Sequence, residues 1–254
     1  MSSLCCGNLY ETAQSALAKN DLKCLNELYS RLLVDVRPMF TNEQLLDRIY
    51  DPDHTLCRNF GAEIYVPKHA HDGKTCTAIR SEASGNCLYS SASLVLVGNN
   101  ALVPTLRILT SLELFIHAAF YAQHPCFLSV ISEHSDYFDQ SLNNLLPLSV
   151  SKECLDTGYT TDELVKQEAI LNCNDQKWSS FLCILGLSSV LGRKIHTFYP
   201  DSGESRYKLL FNRIVQPRVL SQRGLDAINI LFCHEGSVQP GRKLRVWIIL
   251  KYVI

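Results

Sequence analysis

The sequence predicts an α/β fold of the α+β type, in which helices flank a small mixed sheet and a helical extension precedes that sheet. Apolar residues recur with helical spacing through most of the chain up to Gly192. Beyond it, short runs rich in β-branched and aromatic residues alternate with Gly and Pro turns, as in strands. Helices before and between strands favour one mixed sheet covered by helices. We therefore divide the chain into an extension at 1–60 and a second domain at 61–254.

The extension is predicted to hold three helices, at Glu11–Lys19, Asp21–Val34 and Thr41–Tyr50. Asp21 suits the N-cap of the second helix, and Thr41-Asn-Glu-Gln44 has the spacing of a capping box at the start of the third. No recognisable chemistry occurs here. We expect these helices to pack on the second domain, with a partner-binding helical hairpin as the alternative.

The first part of the second domain is predicted to alternate strands and helices. Glu63–Pro67 indicates a short edge strand, because proline cannot donate to a sheet ladder. A strand at Thr75–Arg80 leads into a helix that ends near Gly98. Val103–Gln123 then predicts one long core helix with proline in its first turn, followed by a shorter helix at Cys126–Ser135.

The last part of the chain is predicted to close the sheet. Thr160-Thr-Asp-Glu163 is a capping box that opens a helix to about Asn172, and a further helix starts at Trp178 and ends at Gly192. The strands that follow are predicted at Lys194–Tyr199, Tyr207–Val215, Ile228–Cys233 and Leu244–Val253.

Composition and charge narrow the function classes. The 254 residues are 46% hydrophobic and 19% charged, with a formal net charge of −1, so bulk electrostatics predicts neither nucleic-acid nor membrane attraction. Glu113 and His117 interrupt the longest apolar helical stretch, which argues against a membrane span.

Cysteine usage predicts an intracellular location, in the cytoplasm or nucleus. The 11 cysteines are odd in number and form no Cys-x-x-Cys pair, and the N-terminus lacks the pattern of a secretion signal, so free thiols in a reducing compartment are expected. His69 and His71 lie two apart in a polar turn with no second ligand pair, which is typical of a solvated loop rather than a zinc centre. No metal site and no cofactor are predicted.

The candidate site is the turn Gly85-Asn86-Cys87. The cysteine begins an apolar helix, where free amides and the helix dipole favour a thiolate, and Asn86 is a candidate N-cap. The pattern predicts an exposed, activated nucleophile. For an arbitrary Gly-Asn-Cys, a buried cysteine in a glycine turn is the alternative.

The sequence around this turn resembles the nucleophile motif of ovarian-tumour (OTU) domain cysteine proteases, through Gly85-Asn-Cys-Leu-Tyr89. More narrowly, residues 189–200 and 210–218 are similar to the OTU-like domain of vertnin and its invertebrate relatives. The resemblance covers roughly residues 60–254. It implies an OTU-like fold and a deubiquitinase ancestry, that is, a hydrolase of the cysteine-peptidase class. It also implies ubiquitin or a ubiquitin-like modifier as partner, recognised by residues 125–160.

Two positions depart from the family pattern. The acidic residue expected before Gly-Asn-Cys is Ser84, and the histidine expected on the last strand is replaced by Lys251. A lysine acts as a base only if its pKa falls by several units. His234, which follows a strand expected to pair with the closing one, is the candidate substitute, and an exposed loop histidine is the alternative. Relatives continue the strand beyond Ile254, so a truncated gene model would also explain the missing histidine.

Three functional hypotheses follow. The first is a thiol isopeptidase with an impaired site, in which Cys87 attacks, the amides of residues 85–87 hold the oxyanion and His234 supplies the proton. The second is an inactive module that binds ubiquitin or another protein. The third is nucleic-acid binding through basic residues of the C-terminal sheet, for which solvated edge-strand charges are the preferred explanation. These residues are Lys208, Arg213, Arg218, Arg223 and Arg242–Arg245.

Overall fold

The computed structural model describes residues 6–41, 60–66, 75–82, 84–133, 145–155, 158–199, 209–221, 225–233 and 245–252. Its helices are α1 Cys6–Ala18, α2 Leu22–Val36, α3 Phe60–Glu63, α4 Cys87–Val97, α5 Val103–Ile116, α6 Ala118–Ala122, α7 Pro125–Glu133, α8 Thr161–Asn172 and α9 Phe181–Leu191. Its strands are β1 Thr75–Arg80, β2 Ile195–Phe198, β3 Ile214–Val215, β4 Ile228–Cys233 and β5 Arg245–Tyr252. Short 3₁₀ turns lie at Arg37–Thr41, Leu146–Ser149 and Lys152–Cys154.

The strands form one mixed sheet in the order β1-β5-β4-β2-β3. The pairs β1–β5, β4–β5 and β2–β3 are antiparallel, and β2–β4 is parallel. The parallel strands β2 and β4 are joined by a long crossover connection, whereas β4 and β5 follow each other along the chain and pair antiparallel. Because both kinds of pair occur, the predicted mixed sheet with flanking helices is confirmed.

Helix α5 lies at the centre of the helical layer and packs against α1, α2, α4, α8 and α9. Its apolar side chains are buried in one large core, together with Ile79, Ile195 and Ile230 from one face of the sheet. A helix with neighbours on every side is mostly apolar all round, and the only charged residues of α5 are Arg107 and Glu113. Both charged side chains are fully buried.

The opposite face of the sheet carries a second, smaller core. Ala62 and Val66 pack there with Ala78, Phe198 and Leu231. The predicted edge strand at Glu63–Pro67 is therefore wrong, because α3 ends in this segment and a turn follows it. The Glu63 carboxylate instead accepts the amide N–H of Ala78 at 3.2 Å, so the segment covers β1 rather than extending the sheet.

Several predicted helix ends are confirmed. Gly98 and Gly192 follow α4 and α9 with φ of 71° and 59°, the left-handed conformation that glycine adopts without strain. Thr160 and Glu163 form both bonds of a capping box before α8. Asp21 caps α2 by accepting the Cys24 amide at 3.1 Å. Local capping chemistry therefore fixes these boundaries.

The predicted helix over Val103–Gln123 is broken at His117, whose φ of −112° and ψ of 33° are not helical. After the break, Tyr121 donates a hydrogen bond to the Glu113 carboxylate at 2.8 Å. Arg218 binds the same carboxylate through Nε at 2.9 Å and Nη2 at 3.3 Å. The bend places the Tyr121 hydroxyl of α6 within hydrogen-bond distance of the buried Glu113 carboxylate, which would otherwise lack this donor.

Other elements are shorter than predicted. Helix α9 starts at Phe181, after Ser180, so Trp178 precedes the helix. Strand β3 covers only Ile214–Val215 of the predicted Tyr207–Val215. The predicted third helix of the extension, beyond the 3₁₀ turn that ends at Thr41, and the pair His69 and His71 lie outside the described residues.

Helices α1 and α2 pack on each other and on α5, within the same core as the sheet. The division between 1–60 and 61–254 stays a prediction. Within the described ranges, no single helix is long and apolar enough to cross a membrane, and one pair, Val103–Ile116 with Ala118–Glu133, passes that test only as a unit bent by 84°.

We expect Glu113→Gln to destabilise the protein by about 2–3 kcal/mol, because its amide would turn a donor toward the donors of Arg218 or Tyr121 in a buried site. Urea denaturation followed by circular dichroism measures this loss. The matched control is Glu133→Gln, since Glu133 also pairs with an arginine, Arg213 at 3.2 Å, but is itself 51% exposed. That change should cost less than about 0.5 kcal/mol. Equal unfolding midpoints for the two variants would contradict this account of the network.

Candidate functional site

Cys87 is the first residue of α4, as the sequence predicts. Its side chain is only 3% exposed and belongs to the main core. Burial raises the pKa of the thiol to about 12, and the helix-terminal amides and the Arg107 charge lower it by less. The cysteine is therefore a neutral thiol at physiological pH, which differs from the exposed, activated nucleophile that the sequence predicts.

The residues before the helix, 84–87, form a closed turn that we call the Cys87 turn. The amide N–H of Asn86 donates to the Ser84 hydroxyl at 3.1 Å, and the amide N–H of Cys87 donates to the Ser84 carbonyl at 3.1 Å. The Ser84 hydroxyl in turn donates to the Glu82 carboxylate at 2.7 Å. Two of the amides expected to hold an oxyanion are thus already bonded within the turn.

Asn86 precedes the helix as predicted, but its side chain does not cap it. Its Nδ2 donates instead to the Asp175 carboxylate at 2.9 Å. Its Oδ1 accepts from Arg107 Nε at 2.9 Å and from the Gln176 amide at 3.4 Å. The side chain therefore ties the Cys87 turn to residues 172–177, which we call the facing loop.

A buried arginine, Arg107 of α5, makes the strongest connection between these two segments. Its side chain has no exposed surface. Nη2 donates to the Gly85 carbonyl at 2.6 Å, in addition to the bond from Nε to Asn86. The remaining bonds go to carbonyls of the facing loop, those of Asn172 at 2.9 Å, Asn174 at 3.2 Å and Lys177 at 2.9 Å. All five guanidinium N–H donors therefore have an acceptor.

The face of the guanidinium is covered by Tyr89, whose ring centroid lies 4.6 Å from Arg107 Cζ. The Tyr89 hydroxyl donates to Asn172 Oδ1 at 2.9 Å, and Asn172 Nδ2 donates to the Ser111 hydroxyl at 2.9 Å. Gln14 of α1 reaches the same loop and donates to the Cys173 carbonyl at 3.2 Å. The N-terminal helices thus support the loop that faces the site.

Gly85 lies against the backbone of the facing loop. A Cβ built on it would stand 1.7 Å from the Gln176 carbonyl oxygen, far inside contact distance. Gln176 itself has a φ of 59°, in the left-handed region. The glycine of the motif is therefore required by close approach of two backbone segments.

The sheet register separates Lys251 from the Cys87 turn. Lys251 pairs with Cys76 at the start of β1, whereas Trp247 pairs with Arg80 at the end of β1 that leads to the turn. The two β5 positions are roughly 13 Å apart along the strand, at about 3.3 Å per residue. The register gives no support for Lys251 as a base for Cys87.

The substitute base, His234, lies outside the described residues. Cys233, which precedes it in sequence, pairs with Arg245 at the end of the sheet where β1 ends. His196 lies on β2 with its ring 4.0 Å from that of Phe198. The structure therefore brings Ser84, Gly85, Asn86 and Cys87 together and describes no histidine bonded to the thiol.

Arg107, Asn172 and Asp175 were not predicted as site residues. A signal for Arg107 exists in the sequence, because an arginine inside an apolar helix must find acceptors in the core. Its acceptors are mostly backbone carbonyls of a distant loop, and no side-chain pattern reveals those. Asn172 and Asp175 carry no comparable signal.

Two of the basic residues that the sequence assigns to a candidate nucleic-acid surface are paired with acidic side chains. Arg213 pairs with Glu133, and Arg218 pairs with the buried Glu113. The other basic residues of that set, apart from the backbone of Arg245, lie outside the described residues. Among the described residues, no three His, Cys, Asp or Glu side chains are placed to hold a metal ion.

A cysteine that starts a helix after the edge strand of a small mixed sheet is the arrangement expected of an OTU-like cysteine-protease fold. The family model for the OTU domain of vertnin matches residues 78–233, and the chain belongs to this family. Vertnin of Bos taurus is 27% identical over 137 residues, which make up 54% of this chain. The matched region is 20% of the bovine protein, so the chain spans a small part of that relative. No solved structure matches the chain.

We expect Gly85→Ala to destabilise the protein by at least about 2–3 kcal/mol, because the new methyl group would force the Gln176 backbone away. Thermal and urea unfolding measure the change. Gly158→Ala is the matched control, since Gly158 has a φ of 62° with nothing within 4 Å of a built Cβ. It should cost about 1 kcal/mol of backbone strain alone. Similar losses for both variants would contradict the close contact.

The pH dependence of Cys87 alkylation follows from its raised pKa. Because the thiolate is the nucleophile, the alkylation rate should rise about tenfold per pH unit from pH 7 to 10, without a plateau. Peptide mass spectrometry after timed iodoacetamide treatment measures the rate at this residue. A plateau near neutral pH would show an activated thiolate and contradict the buried, neutral thiol.

Proposed function

We propose that this chain is a binding module on an OTU-like scaffold, that its Cys87 site does not turn over a substrate, and that its partner is ubiquitin or a ubiquitin-like modifier. The closed Cys87 turn carries this proposal. A thiol isopeptidase needs a thiolate to attack and free donors for the oxyanion that develops. Here the thiol is buried and neutral, and the amides of Asn86 and Cys87 are bonded to Ser84.

Apolar side chains beside the site support a binding role. Leu148, Leu155 and Tyr159 are 36%, 43% and 41% exposed, within one short stretch of the chain. Exposed apolar and aromatic side chains that occur together are typical of protein interaction surfaces. The stretch falls in residues 125–160, where the resemblance to OTU proteases implies partner recognition.

This stretch is anchored and lies next to the facing loop. The buried Glu168 carboxylate accepts the Ser151 amide at 2.7 Å and the Ser151 hydroxyl at 2.9 Å. Glu153 pairs with Lys177 of the facing loop at 3.5 Å. A preorganised surface binds with less loss of conformational entropy, which favours a role in recognition.

The second candidate function is a slow thiol isopeptidase. It is favoured by Cys87 at the first position of a helix and by the place of Cys233, the residue before His234, at the sheet end where β1 leads toward the turn. This activity would require the Cys87 turn to open. The two candidates therefore differ in whether the thiol reacts with a bound modifier.

The test is a titration with ubiquitin that is monitored by NMR. It is carried out on the wild-type chain and on the Leu155→Ser and Tyr159→Ala variants. We expect saturable binding by wild type and a loss of roughly tenfold in affinity in each variant, the size expected when a side chain at the centre of an interface is truncated. The matched control is Val34→Ser, because Val34 is 72% exposed on α2, away from this stretch. Its affinity should equal that of wild type.

A second measurement separates the candidates. Ubiquitin with a C-terminal electrophile is incubated with wild type, Cys87→Ala and His234→Ala, and adducts are detected by intact mass. Binding without an adduct is the expected result. An adduct that disappears in Cys87→Ala would establish the isopeptidase instead, and absence of any binding would overturn ubiquitin as the partner.

A further inference from the structure

We propose that Arg107 is a positioning residue for the Cys87 site. Its guanidinium holds the Cys87 turn and the facing loop together as one unit, and this contact keeps the thiol out of solvent. The side chain comes from α5, the central helix, and is fully buried. It binds the Gly85 carbonyl and Asn86 Oδ1 on one side, and the carbonyls of Asn172, Asn174 and Lys177 on the other.

The chemistry of these acceptors makes the contact depend on Arg107 itself. The acceptors are carbonyl and amide oxygens from two segments that are distant in sequence, so no other side chain can bridge them in the same way. Guanidinium is planar and presents its donors in a fixed fork, whereas a lysine ammonium offers three donors at one point. A lysine at 107 would therefore reach some of these oxygens but could not hold both segments.

A weaker tie connects the same two segments at the surface. Asn86 Nδ2 donates to the carboxylate of Asp175, whose side chain is exposed. Hydrogen bonds at the surface contribute less than buried ones made by a charged donor. Loss of the Asp175 carboxylate should therefore open the site less than loss of the Arg107 guanidinium. Because Asp175 is exposed, its substitution should also leave the fold intact.

This role of Arg107 deepens the proposed function. It rests on that function only in assuming that the functional state has a closed Cys87 turn with a buried thiol. It concerns how the thiol is covered, and it holds for any partner. Failure of the ubiquitin titration would therefore leave the following test unaffected, and failure of this test would leave the titration unaffected.

The experiment measures native-state alkylation of individual cysteines with iodoacetamide at pH 8, resolved by peptide mass spectrometry. In Arg107→Met we expect the alkylation rate at Cys87 to rise by about tenfold or more over wild type, because local opening of the site then no longer requires the guanidinium bonds to be broken. Cys154 is the internal reference, since it is buried in the 3₁₀ turn Lys152–Cys154, with its Sγ 3.7 Å from the Glu168 carboxylate. Its rate should stay unchanged. Arg107→Lys should give an intermediate rate at Cys87, and Asp175→Ala a smaller rise.

Arg193→Met is the matched control for the loss of a buried arginine, because Arg193 is 3% exposed and binds the Asp226 carbonyl at 2.5 Å instead of the site. It should leave the ratio of Cys87 to Cys154 alkylation unchanged. A proportional rise at both cysteines in Arg107→Met would show a general structural role and overturn the proposal. Should that variant not fold, Arg107→Lys and Asp175→Ala decide: unchanged Cys87 rates in both would overturn it.

Discussion

The guanidinium of Arg107 is the contact on which the arrangement of this site depends. A buried cation is costly unless every donor finds an acceptor, and here backbone carbonyls and amide oxygens supply them. Since Gly85 and Lys177 offer only their carbonyls, the two backbone segments must hold fixed positions. The requirement to satisfy one charge therefore determines the path of two loops, and the close approach at Gly85 follows from that path.

Helix α5 carries a second buried charge with the opposite sign, and the two organise different sides of the molecule. Glu113 accepts from Tyr121 of α6 and from Arg218 beyond β3, so it determines where the long helix breaks. A second buried carboxylate, Glu168 of α8, anchors Ser151 beside the facing loop. Removal of one partner from such a site leaves an uncompensated polar group in the core, which is strongly destabilising.

Sequence patterns predicted most elements of this fold, because caps and periodicity are local. The start of α4 at Cys87, the capping box at Thr160 and the glycine that ends α9 all follow from chemistry within a few residues. Burial of the thiol is only the alternative interpretation of the motif, because the partners of the Cys87 turn, Arg107 and a loop nearly ninety positions away, are not visible in any local pattern. The register of β5, which separates Lys251 from the turn, likewise depends on pairing that no local pattern determines.

The Cys87 turn has the sequence of a nucleophile motif, but its Ser84 bonds the amides that such a motif needs. An acidic residue is expected at the position of Ser84, and the hydroxyl that replaces it is short enough to accept the Asn86 amide while donating to Glu82. The Cys87 amide bonds the carbonyl of the same residue. Helix-terminal amides stabilise an anion only while they are free to point at it. Because Ser84 accepts the amides of Asn86 and Cys87, these amides favour a thiolate less, and burial has the largest effect on the pKa of the cysteine. Motif residues therefore define ancestry here, whereas the partners of their amides define the chemistry.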